Sequence, residues 1–506
     1  MPNAHVFPSR SRTSAVAGSS RIGVGLSVPW LAACLWAGSA AAAAPQTLVA
    51  AESGNSASAQ SGTAAAEPPG FLAGISRRNY LLGDMGGLRT LLGRYGMSVN
   101  LQETSEVLGN VTGGARQGFD YDGLTQMALQ LDTQRAFGWQ GGTFNASALQ
   151  IHGRSLSADN LLTLQTASGI EADRATRLWE LWYQQEFPLE DRLDLKIGQQ
   201  SLDQEFMVSQ NALLFVNTMF GWPMLPSADM PGGGPAYPLS ALGLRVRAHP
   251  ADSLTLLAGV FNGSPARNNI GDLQQQNPSG TSFPLNGGAL AIAEVQFAHP
   301  SPGTKAGANP PRPLAGVYRF GLWYDTEDFA DLAVDNTGRS LANPASTGIP
   351  QGHRGDYAFY AVADQAVWQD ATEPDRTLNV FVRAMGSPLA DRNLIDFSLN
   401  AGITFHEPFL HRADDSVGVG MGYAHVSGRV AALDRDTASF TGAFTPVRSG
   451  ETFIEVTYQY QVTPWWQLQP DFQYVFNPGG GVANPNASEQ QVQNEAVIGL
   501  RTTILF

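Results

Sequence analysis

Charged, amide and aromatic side chains recur at every second position in several stretches of the sequence, such as 180–186 and 244–247. Paired charges and amides can replace water at the hydroxyls of a neutral solute, and an aromatic face can cover the apolar side of a saturated ring. The residues predicted to narrow a passage and contact such a solute are Arg116, Glu180, Trp182, Asp203, Glu205, Arg245 and Arg247. Others predicted to face the same aqueous space are Gln184, Glu186, Arg319, Trp323 and Arg383.

Each of these residues also has a structural interpretation. An arginine on such a wall can form a ladder with neighbouring carboxylates, and Trp182 could anchor the long connection 202–238. Asp203 and Glu205 could hold that connection against the wall or bind a structural Ca²⁺ ion in a loop. Apart from that ion we expect no cofactor and no metal site, because the eight histidines lack metal-ligand spacing.

Catalytic and nucleic-acid-binding signatures are missing from the sequence. There is no Gly-x-Ser-x-Gly motif, and the glycine-rich residues 232–234 lack the Lys and Ser/Thr of a phosphate-binding loop. The formal net charge of −14 argues against nucleic acid as a partner. We therefore predict that the protein is not an enzyme.

The C-terminal residues 491–506 indicate which element positions the polar groups. One face of this stretch is apolar except for Thr502 and ends in Phe506, and the other face carries Glu495 and Arg501. Such strict alternation predicts a β-strand. A strand that is apolar outward, polar inward and aromatic at its end is typical of a barrel in a bacterial outer membrane.

The same alternation recurs along the chain from residue 97. About sixteen strands are predicted, separated alternately by short turns and by long connections at 202–238, 263–287, 325–354 and 428–450. This pattern predicts an all-β membrane protein, an antiparallel up-and-down transmembrane β-barrel spanning 97–506 with an aqueous lumen. Leucines at helical spacing predict a short N-terminal helical segment within 71–96, near the periplasmic mouth. A secreted soluble β-sandwich is the alternative, since its strands also alternate.

The N-terminal region has the composition of a targeting segment followed by a linker. Residues 1–44 combine arginines, a short apolar stretch and alanines, which predicts a signal peptide. Residues 45–70 are rich in Ala, Ser and Gly and are predicted to form a disordered linker. An alternative is that Cys34, which follows Leu31, Ala32 and Ala33, becomes a lipidated N-terminus.

Several ordered motifs resemble the OprB family of carbohydrate-selective porins. They include Asn110-Val111-Thr112-Gly113-Gly114, Gly198-Gln199-Gln200, Asp203-Gln204-Glu205-Phe206, Phe220-Gly221-Trp222-Pro223, Asn277-Pro278-Ser279-Gly280, Thr463-Pro464-Trp465-Trp466 and Phe476-Asn477-Pro478-Gly479-Gly480. The resemblance extends from about Asn79 to Phe506. It implies a monomer-capable, sixteen-stranded outer-membrane barrel through which glucose and related sugars diffuse into the periplasm.

The expected partners follow from this interpretation. They are mono- and disaccharides, outer-membrane lipid and lipopolysaccharide, and the barrel-assembly machinery, which would bind the C-terminal strand ending at Phe506. Whether several barrels associate is left open by the sequence. The main functional alternative is a general or anion-preferring porin of the same fold, in which inward arginines would outnumber carboxylates at the narrowest point.

Overall fold

A computed structural model describes residues 74–187, 192–266, 271–300, 314–409, 412–487 and 489–506. The predicted signal peptide and linker lie outside these residues. Sixteen antiparallel strands close into one barrel, because each strand pairs with the next in sequence and β1 pairs with β16. The predicted fold class, strand number and up-and-down topology are therefore confirmed.

The strands follow the predicted positions closely. They are β1 Met97–Gly114, β2 Gly118–Asp132, β3 Gly142–Gly153, β4 Ala175–Phe187, β5 Leu193–Gln200, β6 Ala241–Ala251, β7 Leu254–Asn262, β8 Ala289–His299, β9 Gly316–Asp335, β10 Pro350–Gln369, β11 Thr377–Gly386, β12 Ile395–His406, β13 Ser416–Val426, β14 Gly450–Thr463, β15 Trp466–Phe476 and β16 Gln493–Leu505.

Short helical segments occupy the connections and the N-terminal region. The α-helices are α1 Leu88–Arg94, α2 Thr133–Phe137, α3 Thr218–Gly221, α4 Met224–Asp229, α5 Leu273–Gln276 and α6 Gly428–Thr441. Single turns of 3₁₀-helix lie at Ile75–Arg77, Met85–Gly87, Leu202–Gln204, Ala212–Leu214, Pro231–Gly233 and Pro478–Gly480, and Ser157–Leu161 forms one π-turn. Within the described ranges, no helix has the length and apolarity needed to cross a membrane.

Strand β16 shows how the alternation in sequence becomes an outer and an inner face. Leu500 is 47% exposed on the outer side, whereas Glu495 and Val497 are fully buried on the inner side. Thr502, the one polar outward residue predicted there, accepts a hydrogen bond from the Trp466 indole nitrogen at 2.9 Å. The outer face is thus apolar, as a lipid-facing barrel requires.

Two long connections differ from the sequence-based prediction. We expected 325–354 to be a loop, but β9 and β10 continue through most of it as a paired extension. The main chains of β9 and β10 stay paired in this extension, but its residues do not form an apolar face. The alternation of apolar and polar residues therefore could not reveal it. The predicted loop 428–450 contains α6, which ion pairs secure: Arg429 binds Asp331 of β9 at 2.7 Å, and Arg448 binds Asp434 at 2.8 Å.

The short turns that the structure describes, the N-terminal segment from residue 74 and the C-terminal residues gather at one end of the barrel. The N-terminal segment contacts the last strand there: the Leu81 amide donates to the Leu505 carbonyl at 2.8 Å, and the Trp465 indole donates to the Ile75 carbonyl at 2.7 Å. Arg89 of α1 also donates to the Phe506 carbonyl. The long connections lie at the opposite end, and two of them, 154–174 and 201–240, fold into the barrel.

Candidate functional site

The connection 201–240, called the inward loop below, is held to the inner wall by carboxylates that accept its main-chain N–H groups. Glu294 of β8 accepts from the Met207 amide at 2.8 Å, and Glu455 of β14 accepts from the Val216 amide at 2.6 Å and the Asn217 amide at 3.0 Å. Because the loop has few regular internal hydrogen bonds, these acceptors satisfy buried donors that would otherwise destabilise it.

Aromatic packing fixes the inward loop further. Phe220 and Trp222 of the loop are fully buried, as are Trp323, Phe381 and Phe453 of the wall. The Phe220 ring lies 5.4 Å from Phe453 and 5.8 Å from Phe381 in edge-to-face geometry. The loop thus builds an apolar core inside the barrel against the strands from β7 to β15, so the polar surface is concentrated elsewhere on the wall.

The inner faces of β4, β5 and β6 carry that polar surface, which we call the charged wall. It consists of Trp182, Gln184, Glu186, Asp194, Lys196, Arg245 and Arg247, together with Glu205 from the inward loop. Strand register arranges the charged and amide members of the wall in two rows: Glu186 pairs with Asp194 and then Arg247, and Gln184 pairs with Lys196 and then Arg245. Directly paired residues on one face are close enough for side-chain contact.

Ion pairs link the two rows of the charged wall. Asp194 binds both Arg245 and Arg247, the latter at 2.7 Å. Glu205 binds Arg245 at 2.6 Å and also binds Lys196. Three cations are therefore joined to two carboxylates, and Glu186, which lies opposite Asp194 on β4, adds a third negative charge, so the wall has no dominant sign of charge.

Glu205 connects the inward loop to this wall. Burial alone would favour its neutral form, but the adjacent Lys196 and Arg245 lower the pKa of Glu205 to about 2. An opposite charge within a few ångströms favours the ionised state. The carboxylate is thus ionised at neutral pH and can keep the loop attached to the wall electrostatically.

A third row of the wall is shaped by close packing around Trp182. Trp182 pairs with Gly198, and Gly198 pairs with Gly243. Gly198 has φ +134°, and a Cβ atom there would lie 2.7 Å from the Cα of Trp182. Glycine is required at this position because only it tolerates this conformation at such close approach. The Lys196 ammonium lies 4.5 Å from the centre of the Trp182 ring, in the geometry of a cation–π contact.

Comparison with known proteins assigns this barrel to a family. The family model "Carbohydrate-selective porin, OprB family" matches residues 116–506. The chain belongs to the OprB family of carbohydrate-selective porins. It is 26% identical to Porin B of Pseudomonas aeruginosa over 450 aligned residues, and the alignment covers 84% of this chain and 91% of that protein. It is 24% identical over 425 residues to the putative porin QuiX of Acinetobacter baylyi, covering 80% of this chain and 89% of that protein.

A solved structure agrees with the fold. The high-pH structure of Pseudomonas putida OprB matches with a TM-score of 0.74 and 24% identity, covering 86% of this chain and all of that one. Family membership and fold together make the protein a porin of the Gram-negative outer membrane, a channel rather than an enzyme. The short-turn end of the barrel is accordingly the periplasmic end, and the long-loop end faces outward.

Among the predicted contact residues of this OprB-family porin, Trp182, Glu205, Arg245 and Arg247 lie together on the charged wall. Their accessibility differs: the Arg247 side chain is 34% exposed, whereas Arg245 is 1% exposed. Gln184 and Glu186 also lie on the wall, where Gln184 accepts from Arg245 at 3.1 Å. A solute in the lumen can therefore reach Arg247, but not the buried guanidinium of Arg245.

Glu180 and Asp203 lie beside the wall and bind the ends of the inward loop. Glu180 accepts from the Ser201 amide at 3.1 Å, and Asp203 accepts from the Tyr237 amide at 3.2 Å. Both carboxylates therefore have a structural role, because each binds a main-chain amide at one end of the inward loop. For Asp203, holding this connection was one of the two roles that the sequence allowed. The one group of described residues arranged like metal ligands is elsewhere, at Asp331, His353 and Asp391, where Arg429 already binds Asp331.

Arg116 lies apart from the charged wall, in the turn between β1 and β2. Its Nε donates to the Asn160 side-chain oxygen at 2.7 Å and to the Asp159 carbonyl at 2.9 Å. It thus contacts the second inward connection, 154–174, near the outer end of the barrel. That connection is itself anchored by Glu451, which accepts from the Leu164 and Gln165 amides at 2.8 and 2.7 Å.

Arg319, Trp323 and Arg383 point into the barrel as predicted, but the inward loop covers them. Arg319 binds Asp364 at 2.7 Å, and Asp364 in turn accepts from the Ser209 hydroxyl of the loop at 2.6 Å. Arg383 donates to the Met207 and Gly221 carbonyls, both at 2.9 Å, and also to the Met219 carbonyl. These residues hold the loop.

Two members of the wall, Asp194 and Lys196, were not among the predicted contact residues. Both stand at inward positions of β5, where they alternate with Leu193, Leu195 and Ile197, so the signal was present in the sequence. What the sequence lacked was the register that sets Asp194 beside Arg247. The anchoring role of Glu451 had no local signal, since the Leu164 and Gln165 amides that it binds lie more than 280 residues away.

Proposed function

We propose that this porin lets glucose and related mono- and disaccharides diffuse passively through its lumen into the periplasm, with the charged wall as the place where they bind weakly. The observation that carries the proposal is the wall itself, in which three cations pair with two carboxylates beside Trp182 and the exposed acceptor Glu186. A wall without a dominant charge favours neutral, hydroxyl-rich solutes over ions. Conduction needs several weak contacts rather than one tight one.

Arg247 and Glu186 are the members best placed to meet a sugar. The Arg247 guanidinium has five N–H donors, and its Nε–H is directed to Asp194 at 2.7 Å, so the half-exposed group retains donors for a solute hydroxyl. Glu186 is exposed and supplies acceptors in the same row, on the other side of Asp194. A donor and an acceptor two strands apart, about 10 Å at the backbone, can bind hydroxyls on different parts of one sugar.

Trp182 would cover the apolar face of the ring. Its side chain is half-buried, and Lys196 fixes its orientation from one side. Aromatic stacking contributes about 0.5–1.5 kcal/mol, which corresponds to about a 2- to 12-fold change in affinity. That weakness is compatible with rapid release on the periplasmic side.

Sugar block of ion current through single channels in planar bilayers tests the proposal. Glucose, sucrose and arabinose should reduce the current saturably, and amino acids of similar size should not. Trp182→Ala and Arg247→Gln should each raise the half-blocking sugar concentration about 2- to 10-fold. Arg135→Gln is the matched control, because Arg135 is 72% exposed in α2 on the periplasmic side. Entry of all solutes by size alone, without saturation, would contradict the proposal.

A general or anion-preferring porin is distinguished by a separate measurement. It would need uncompensated cations on the lumen surface, whereas Arg245, Arg247 and Lys196 all have carboxylate partners. We therefore expect a reversal potential near zero in a KCl gradient. A strongly anion-selective potential would favour the alternative.

A further inference from the structure

Four carboxylates lie inside the barrel where the paired extension of β9 and β10 begins. They are Asp325 and Glu327 of β9, Asp356 of β10 and Asp229 at the end of α4 in the inward loop. Strand register pairs Asp325 directly with Asp356, and both are 0% exposed. Paired residues on one face have Cβ atoms about 5 Å apart, so two buried carboxylates lie side by side.

A short segment just before β12 places Asp229 next to Asp356. The Asn393 side chain donates to Oδ1 of Asp356 at 3.1 Å. The next amide, that of Leu394, donates to Oδ1 of Asp229 at 2.8 Å, and the Ile395 amide does so at 3.3 Å. Because adjacent residues bind the two carboxylates, the inward loop brings a further buried charge close to the pair.

Each of the three aspartates uses one oxygen and leaves the other without a hydrogen-bond donor. Oδ1 of Asp325 accepts from the Glu327 amide at 2.9 Å, and Oδ1 of Asp356 accepts from the Tyr357 amide at 2.8 Å. Among the residues that the structure describes, four buried oxygens have no partner: Oδ2 of Asp229, Asp325 and Asp356, and Oε1 of Glu327. Buried oxygens of this kind need a donor or a cation.

The connection between β7 and β8 adds another oxygen to the same space and keeps that space open. A Cβ atom on Gly263 would lie 2.7 and 3.2 Å from the two carboxylate oxygens of Asp325, and it would touch the Gly287 carbonyl oxygen. A Cβ atom on Gly287 would lie 3.0 Å from Oε1 of Glu327. The two glycines thus border a space lined by carboxylate and carbonyl oxygens, which a larger residue at either position would fill.

Within the described ranges, no cationic side chain forms an ion pair with these four carboxylates. Arg392 donates to the Gly355 carbonyl, beside Asp356, at 2.5 Å, but its ion pair is with Asp391 at 2.9 Å. Like charges buried side by side are unfavourable unless a proton or a cation joins them. A proton can join only two oxygens, whereas Ca²⁺ takes about six to eight oxygen ligands.

The chemistry of the donor set selects the kind of cation. At Asp331, His353 and Asp391, an imidazole contributes and Arg429 already supplies a positive charge at 2.7 Å. The space beside Gly263 is lined only by oxygens, which Ca²⁺ and Mg²⁺ prefer. Oxygens from several separate segments give an irregular arrangement, which Ca²⁺ accepts and the strictly octahedral Mg²⁺ does not.

We infer that a Ca²⁺ ion binds between Asp325 and Asp356. Three neighbours contribute further oxygens: the Gly287 carbonyl, Glu327 and Asp229. The ion ties the barrel wall to the connection between β7 and β8 and to the α4 end of the inward loop, so it holds that loop in place. Calcium sites that face the extracellular medium have dissociation constants of about 10⁻⁴–10⁻³ M, and we expect an affinity in that range.

Terbium luminescence tests whether a cation binds at these carboxylates. The protein is placed in phospholipid vesicles free of lipopolysaccharide, which itself binds divalent cations. Trp323 lies two residues from Asp325 on the same strand face, about 7 Å away, so its excitation should give Tb³⁺ emission that saturates and that Ca²⁺ displaces. Asp325→Asn combined with Asp356→Asn should abolish most of this displaceable signal. Asp414→Asn, an exposed position in the turn before β13, is the matched control and should keep it.

Two outcomes of that measurement would overturn the inference. One is the absence of any saturable, Ca²⁺-displaceable signal in the unmodified protein. The other is an equal signal in the folded double variant, which would place the bound Tb³⁺ elsewhere. Heat-modifiable gel migration shows whether each variant is folded.

Hydrogen exchange of the inward loop tests what the ion does. At a Ca²⁺ concentration ten times the dissociation constant, an ion that binds only the docked loop favours that state about 11-fold. Amide exchange within 201–240 should therefore be about tenfold slower in Ca²⁺ than in EDTA with Na⁺ at equal ionic strength. Equal exchange rates in the two solutions would show that the ion does not hold the loop and would overturn the inference.

Asp229→Asn gives a second variant that leaves the strands unchanged. Asparagine keeps an oxygen for the amides of Leu394 and Ile395 but removes the charge, so the difference between Ca²⁺ and EDTA should shrink. This variant decides the question if the double variant does not fold. Full Ca²⁺ protection of the loop in Asp229→Asn would contradict the proposed contribution of this carboxylate and, with it, the link between the ion and the loop.

Discussion

Replacing Arg383 by methionine should release the inward loop while leaving the barrel intact. Arg383 is buried and donates to the main-chain carbonyls of Met207, Met219 and Gly221. Methionine keeps much of the apolar stem but none of the donors. An unpaired buried acceptor costs about 1–3 kcal/mol, so three carbonyls cost about 3–9 kcal/mol if they stay buried. The loop can avoid this cost only by moving into the water-filled lumen.

Even the lower figure changes the balance between the docked and displaced loop by about 100-fold. We therefore expect Arg383→Met to show larger current noise, a second conductance level and weaker sugar block in planar bilayers. The midpoint of urea unfolding in lipid vesicles should move little, because the strand ladder is untouched. Arg135→Met, a surface change of the same type, should leave all these quantities unchanged.

The reasoning about Arg383 is refuted by a specific result. If the variant is folded and its single-channel conductance, noise and sugar block equal those of the unmodified protein, the arginine does not hold the loop. Limited proteolysis gives a second measurement, since a displaced loop should be cleaved within 201–240 and a docked loop should not.

Three further predictions concern the wall, its packing and the chain terminus. Because the pKa of Glu205 is depressed to about 2, its contribution to holding the loop is complete above the ordinary carboxyl pKa and is lost as the pH falls through about 2. Sugar block should therefore be constant from pH 8 to 5 and should have declined at pH 2. Gly198→Ala should lower the free energy of unfolding by about 1–3 kcal/mol in urea titrations, since its Cβ would meet the Leu181 carbonyl at 2.3 Å. Deleting Phe506 should reduce the folded barrel recovered in outer membranes, measured by heat-modifiable migration, because the assembly machinery would lose its terminal aromatic; equal recovery would contradict this.

The alternation in the sequence was sufficient to predict the strands because lipid contact is a local requirement. Each outward position of a strand must be apolar whatever the rest of the chain does, so residues such as Leu500 and Val382 can be assigned a side without knowledge of their neighbours. The paired extension of β9 and β10 escaped prediction for the same reason. Beyond the membrane, pairing continues through main-chain hydrogen bonds, which place no demand on side-chain type.

The charged wall was only partly predictable. Arg245, Arg247 and Trp182 were recognised from their inward positions, whereas Asp194, which binds both arginines, was overlooked. Arg383 had the same signature as Arg247, but the inward loop buries one and leaves the other accessible. The position of a residue on a strand thus predicts whether its side chain faces the lumen or the lipid. Whether a solute can reach a lumen-facing side chain depends on which part of the wall the inward loop covers.

The sequence by itself determined a closed barrel with an apolar exterior and a polar interior, because a two-residue period is imposed by pleating and by the surrounding lipid. Only the tertiary structure decided which inward residues face water, which hold loops, and which carboxylates, such as Asp325 and Asp356, lie side by side. Those outcomes depend on strand register and on contacts between residues hundreds of positions apart, such as Glu451 with Leu164, and no local pattern encodes such distances.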